Sequence, residues 1–162
     1  MITHDKLVKK ARAWLLRRYG VVISEMAAGR ETADAIGLGG DSTVIECKAS
    51  RSDFLADRNK SFRQFPDFGM GDQRFYFAPK ALIKPDELPP GWGLLELSDQ
   101  YILKTKESEH FKKDHQAEIR LLVSTIRRLN IARSQMNGMS VRFYTIPTKD
   151  RATVLSRFEG GE

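Results

Sequence analysis

Glu46 and Lys48 stand two positions apart in the run Ser42-Thr43-Val44-Ile45-Glu46-Cys47-Lys48, and the acid Asp34 lies twelve positions before Glu46. Ser42 to Ile45 favour β structure. Side chains alternate faces along a strand, so Glu46 and Lys48 share one face and Cys47 points into the opposite layer. Gly37-Leu38-Gly39-Gly40-Asp41 stands in between, and this turn-rich stretch predicts a β-hairpin in which the carboxylates of Asp34 and Glu46 converge. Two carboxylates beside an amine can hold a hard divalent cation and a water, and oxygen donors suit Mg²⁺ or Mn²⁺. A charged edge strand yields the same three residues by chance, so the surrounding elements must decide.

The spacing predicts a first helix over residues 3–19, with Leu7, Ala11, Trp14, Leu15 and Tyr19 on one stripe and Gly20 ending it. A strand follows over 21–26, then the hairpin strands 32–38 and 42–48. Ser50 and Asp53 open a helix over 50–65, and Pro66 closes it. Residues 74–78 read as a strand, 79–91 as a proline-rich connection, and 92–97 with 101–104 as a second hairpin. A long helix is expected over 109–135 on the stripe Ile119, Leu122, Ile126 and Leu129, broken at Asn137-Gly138. A last strand is expected over 140–146, and 147–162 reads as a loose tail. The expectation is one α/β domain over 1–146.

Several segments in this order carry a family likeness. They are Val21-Val22-Ile23 followed by Glu25, Gly29-Arg30-Glu31-Thr32-Ala33-Asp34, Glu46-Cys47-Lys48, Lys48 through Arg58, Asp72 through Pro79, and Gly93-Leu94-Leu95. The pattern resembles the PD-(D/E)XK nuclease superfamily, and within it the MmcB-like branch of DNA-repair-related endonucleases. The likeness covers roughly residues 20 to 100 and departs at Ala33, where the superfamily has Pro. It implies a restriction-endonuclease-like αβββαβ core, a mixed central sheet flanked by helices. It also implies a metal held by Asp34, Glu46 and the Cys47 carbonyl, with Lys48 orienting or deprotonating the attacking water. Glu25 would be a third acid at the end of the first strand, and DNA would be the substrate.

Charge fits a polyanion partner. The chain carries 27 Lys and Arg against 21 acids, a net charge of +6, which favours nucleic acid through non-specific attraction. Lys9, Lys10, Arg12, Arg17 and Arg18 crowd the first helix, while Arg51 and Arg58 follow the Glu-x-Lys strand. Arg58 falls amid an apolar face of Phe54, Leu55, Phe62 and Phe65, either snorkelling to solvent or reaching phosphate. Arg58, Arg51 and Arg30 are the expected phosphate contacts. Asp53 reads as a capping partner and Asp57 as a solvated acid. One cysteine excludes an internal disulfide and a multi-cysteine zinc site, and fits a reducing cytoplasm. No apolar stretch approaches the roughly 20 residues of a membrane span, and the first residues lack a signal-peptide core. Cys47 reads as a small core residue, Gly69-Met70-Gly71 as a turn without a P-loop lysine, and His110 and His115 as surface residues. The expectation is a Mg²⁺- or Mn²⁺-dependent endonuclease with DNA as partner, no membrane, no small-molecule cofactor, and room for a homodimer. Two other readings stay open: a nucleic-acid-binding protein of this fold that does not cleave, and a protein-interaction domain with an accidental motif.

Overall fold

The computed structural model describes residues 2–28, 31–57, 66–129, 134–136 and 139–141. The elements in chain order are α1 (His4–Leu15), β1 (Val21–Ala28), β2 (Glu31–Leu38), β3 (Ser42–Cys47), α2 (Arg51–Asp57), β4 (Gln73–Pro79), β5 (Gly93–Ser98), β6 (Tyr101–Lys106), α3 (His115–Leu129), β7 (Ser134–Met136) and β8 (Met139–Val141). The chain divides into two compact units, Met1–Leu122 and Val123–Glu162. In the first, six strands form one sheet in the order β1-β2-β3-β4-β5-β6. The pairs β1/β2, β2/β3 and β5/β6 are antiparallel, whereas β3/β4 and β4/β5 are parallel. The sheet is mixed and flanked by helices, and α1-β1-β2-β3-α2-β4 is the order of the expected αβββαβ core. In the second unit β7 pairs with β8. Among the described residues no helix is long and apolar enough to cross a membrane.

β3 is buried along its whole length, as suits a strand covered on both faces. On one face α1 lays Leu7, Val8, Ala11 and Leu15 over Ala35, Ile45, Cys47, Phe75, Phe77 and Leu95. The Trp14 ring meets Phe75 edge-on at 6.2 Å. Tyr19 packs against Gly37 so closely that a Cβ there would lie 2.3 Å from the ring. Its hydroxyl shares a 2.6 Å hydrogen bond with Thr43, which fixes the end of α1 on β2 and β3. On the opposite face, Ile23, Ala33, Ile36, Val44 and Met70 meet Ala117 and Leu121 of α3. Beside them Phe54 of α2 packs with Tyr76, Ala78, Ile83, Leu88, Trp92 and Leu94.

The helix expected over 109–135 begins instead at His115. Asp114 stops it from extending upstream: its Oδ1 accepts the Ala117 N–H at 3.0 Å, an N-cap. The preceding main chain bonds elsewhere, Glu109 N to Gly91 O and Phe111 N to Asp72 O, both at 2.8 Å. The inward residues of its first turns are Ala117, Glu118 and Leu121, whereas Ile119 is exposed. Glu118 can face inward because Ser42 Oγ and Gly71 N donate to it at 2.6 and 3.0 Å, and Lys113 Nζ lies 3.1 Å away. Lys113 also donates to Asp72 at 2.6 Å, and Asp72 further accepts the Ser42 N–H. This polar network ties α3 to the start of β3. The apolar face expected for the second helix also differs, since Phe54 is buried and Leu55 is exposed. Phe62 and Phe65, most of the strand expected over 140–146, and the tail 147–162 lie outside the described residues.

Candidate active site

The β2/β3 register pairs Ala35 with Ile45 and Ile36 with Val44. One step further along it, Asp34 falls across from Glu46. The β1/β2 register, with Ser24 across from Ala35 and Met26 across from Ala33, puts Glu25 across from Asp34. Three acids therefore occupy one row over three adjacent strands. Glu25 is exposed and holds a left-handed φ of 57°, a conformation costing a non-glycine residue about 1–2 kcal/mol. Asp34 Oδ2 accepts the Cys47 N–H at 2.7 Å and lies 3.3 Å from Nε2 of His4, in the first turn of α1. The Asp34 side chain is 19% exposed and that of Glu46 only 2%. The row thus runs from solvent into the protein.

Lys48 is held from two sides. Its Nζ lies 3.1 Å from Asp57 Oδ1 and 3.5 Å from Glu46 Oε2, and 5.9 Å from the centre of the Tyr76 ring. The Tyr76 hydroxyl donates to the other Asp57 oxygen at 2.5 Å. The chain builds this clamp locally. Lys48 N bonds to Phe77 O at 2.9 Å, continuing β3 alongside β4. Ser50 Oγ then accepts the Asp53 N–H at 3.2 Å and starts α2, as the Ser50–Asp53 spacing predicts. Phe54 stacks edge-on against Tyr76 at 5.3 Å. Phe54 and Asp57, three apart, share the inward face of the helix. Asp57 is therefore buried and ion-paired, not solvated as the sequence suggests. The spacing from Phe54 was the signal that could have found it; Tyr76 and His4 had none.

Among the described residues, the carboxylates of Glu46 and Asp57 lie beside the Lys48 ammonium, and Asp34 lies beside His4. Cys47 registers these charges. Burial pushes its thiol well above the ordinary range, and the charges of Asp34 and Glu46 push it further; Lys48 opposes them weakly, and Glu25 adds a small rise. The thiol lies in the core layer beneath α1, as the alternation predicts, so only its main chain faces the row. Among the described residues no group of three or more His, Cys, Asp or Glu side chains is placed to hold a metal ion. The donor set is thus two carboxylates, Asp34 and Glu46. That fits Mg²⁺, which keeps several waters and takes one or two carboxylates plus substrate phosphate.

The expected phosphate contacts fare differently. Arg51 is committed to Glu87 through both guanidinium nitrogens, and NH1 also donates to Leu82 O at 3.2 Å. The turn Pro85–Glu87 presents that carboxylate, with Lys84 N bonding to it at 3.0 Å. The Arg51 guanidinium holds the Glu87 carboxyl down to about 2. Arg51 is thus a tie between α2 and this turn rather than a free phosphate contact. Arg58 and Arg30 lie outside the described residues. His110 and His115 are exposed, and His110 lies 3.6 Å from Asp72, away from the acidic row.

No family model and no curated protein matches the chain. Among solved structures, the chain is similar to a protein of unknown function from Silicibacter pomeroyi, with a TM-score of 0.59 and 24% identity over 79% of this chain and 90% of that one. The likeness is one of fold.

Proposed function

We propose that the protein is a Mg²⁺- or Mn²⁺-dependent hydrolase of DNA phosphodiester bonds, an endonuclease of the PD-(D/E)XK type acting in the cytoplasm. The observation that carries this reading is the register that sets Asp34 across from Glu46, with Lys48 clamped beside Glu46 by Asp57. Asp34, Glu46 and the Cys47 carbonyl hold the ion, and Glu25 supports the open end of the row. The ion supplies Lewis-acid polarisation of the scissile phosphate. Lys48 donates hydrogen bonds that orient the attacking water and offset the charge growing on the phosphate oxygens. Asp57 and Tyr76 act through Lys48 by fixing its amine on the Glu46 side. Tyr76 of β4 and Phe54 of α2, both buried and in ring contact, close that side of the site.

The test is incubation of labelled duplex, branched and single-stranded DNA with the protein in Mg²⁺, Mn²⁺ or EDTA. Cleavage of at least one substrate is expected with either metal and not in EDTA. Asp34→Asn and Lys48→Ala should both be inactive, while Lys48→Ala still binds Mn²⁺ by calorimetry. Absence of cleavage of every substrate, or cleavage by Asp34→Asn at the wild-type rate, would overturn the proposal.

A further inference from the structure

We infer that the outer face of α1 is a docking surface for the phosphate backbone of duplex DNA. Lys6, Lys9 and Arg12 of α1 and Arg17 in the turn beyond it are all exposed. At 100° per residue, Lys6, Lys9 and Arg17 fall on the side away from Leu7, Val8, Ala11 and Leu15, and Arg12 flanks them. Asp5 is the single acid among residues 1–20. Six cations elsewhere are paired with acids: Arg18 with Asp41, Arg51 with Glu87, Lys104 with Glu107, Arg120 with Asp114, Lys113 with Asp72 and Glu118, and Lys48 with Glu46 and Asp57. Among the described residues, no carboxylate lies within ion-pair distance of Lys6, Lys9, Arg12 or Arg17. Four unneutralised cations in a row attract a polyanion.

The row also leads somewhere. His4, at the start of the same helix, touches Asp34 of the acidic row at 3.3 Å. From Lys6 to Arg17 the helical rise gives roughly 16 Å, the axial length of about five nucleotides on one duplex strand. A backbone lying along α1 therefore reaches the candidate site at the His4 end. A membrane fits less well. A helix lying on a bilayer needs its apolar face for the lipid, and that of α1 is spent on the sheet, leaving Leu16, 56% exposed, as the large apolar side chain turned outward. The path of the strand toward Asp34 rests on the hydrolase reading; the binding itself does not.

The experiment is fluorescence anisotropy with a labelled 20-base-pair duplex in EDTA, where metal-dependent cutting cannot interfere, over a range of salt. The test variant combines Lys6→Gln, Lys9→Gln and Arg12→Gln. The control combines Lys80→Gln, Lys104→Gln and Lys112→Gln, which removes the same charge from exposed positions elsewhere. Because all six are surface residues, melting should stay unchanged. The α1 variant should lose roughly 10–100-fold in affinity near 0.15 M salt, and its log–log salt slope should flatten by about 2.7, at 0.9 per lost phosphate contact. The control should stay within about threefold of wild type. Equal affinity of the α1 variant and wild type overturns the surface, as does equal loss in the control, or wild type binding anionic vesicles through these residues and no duplex. Tight, α1-dependent binding without cleavage in Mg²⁺ would sink the hydrolase reading and leave the docking surface standing.

Discussion

Charge arithmetic around Lys48 predicts opposite stability effects for two neighbouring substitutions. Lys48 is 7% exposed and Glu46 1%. At an effective dielectric near 20, the contacts of Lys48 Nζ at 3.1 and 3.5 Å are each worth about 5 kcal/mol before desolvation. Lys48→Met removes the ammonium that lies 3.1 Å from Asp57 and 3.5 Å from Glu46, and breaking such a buried pair costs about 3–5 kcal/mol. For a chain of 162 residues that is a fall in Tm of roughly 6–20 °C, at about 2–4 °C per kcal/mol. Glu46→Gln does the reverse. It keeps the Lys48–Asp57 pair and removes the like charge across the strands from Asp34, so without metal its Tm should match or exceed that of wild type. Mg²⁺ at about 100 times its dissociation constant should then stabilise wild type by about 2.7 kcal/mol and Glu46→Gln hardly at all. The assay is thermal unfolding of the three proteins in EDTA and in Mg²⁺. If Glu46→Gln fell in EDTA as far as Lys48→Met, Glu46 would be a structural partner of Lys48 and the like-charge argument would fail.

Two further predictions concern residues off the acidic row. Burial alone would raise the Asp72 carboxyl, but hydrogen bonds from Lys113 and Ser42 hold it below its ordinary value; burial alone would lower the Lys113 ammonium, but Asp72 and Glu118 push it above. The Asp72 contribution is thus present above the ordinary carboxylate value, about 3.9, and lost as pH falls through the depressed folded value, while that of Lys113 persists below about 10.4 and is lost at higher pH. Lys113→Met should therefore melt well below wild type at pH 7, by about 3 kcal/mol, and the gap should narrow by pH 3; an equal gap at both would refute this. The second prediction is that Cys47, 1% exposed with its thiol pushed up by burial and by Asp34 and Glu46, should react with a thiol reagent at pH 8 more than about a hundredfold slower in the native protein than in denaturant. Comparable rates would mean that the end of β3 opens readily.

What the sequence shows of this site is the part written in local periodicity. Alternation along a strand puts Glu46 and Lys48 on one face and Cys47 on the other, and the glycine-rich turn pairs β2 with β3, so Asp34 comes across from Glu46 in the register without any knowledge of the rest of the chain. Tertiary packing decides what is not visible. Asp57 turns inward because α2 rolls Phe54 onto Tyr76, and Tyr76 is 19 positions away. Arg51 is taken by Glu87, 36 positions on. His4 reaches Asp34 only because Tyr19, locked over Gly37, fixes how α1 lies on the sheet. The start of α3 depends on one side chain, Asp114, and the rotation of its first turns on a buried Glu118 that amphipathic reading places outside.

The two ends of β3 show why one charged cluster reads as structure and the other as a site. At the Ser42 end, Asp72 and Glu118 share Lys113 and collect the Ser42 N–H, the Ser42 hydroxyl and the Gly71 N–H. Two acids meet one cation and several dipoles aimed at them, on side chains all about nine-tenths buried. Such a network holds α3 to the sheet and offers a ligand little access. At the Glu46 end the acids Glu25, Asp34 and Glu46 follow one another across three strands, the Asp34 side chain keeps 19% of its surface in solvent, and Glu25 is held in a left-handed conformation. Like charges in one row and backbone strain both oppose folding, so the fold retains them here against its own stability. A cation bound as proposed would remove the first of these costs. On the proposed reading, a phosphate approaching along α1 would then meet a site with less negative charge and the Lys48 amine already in place.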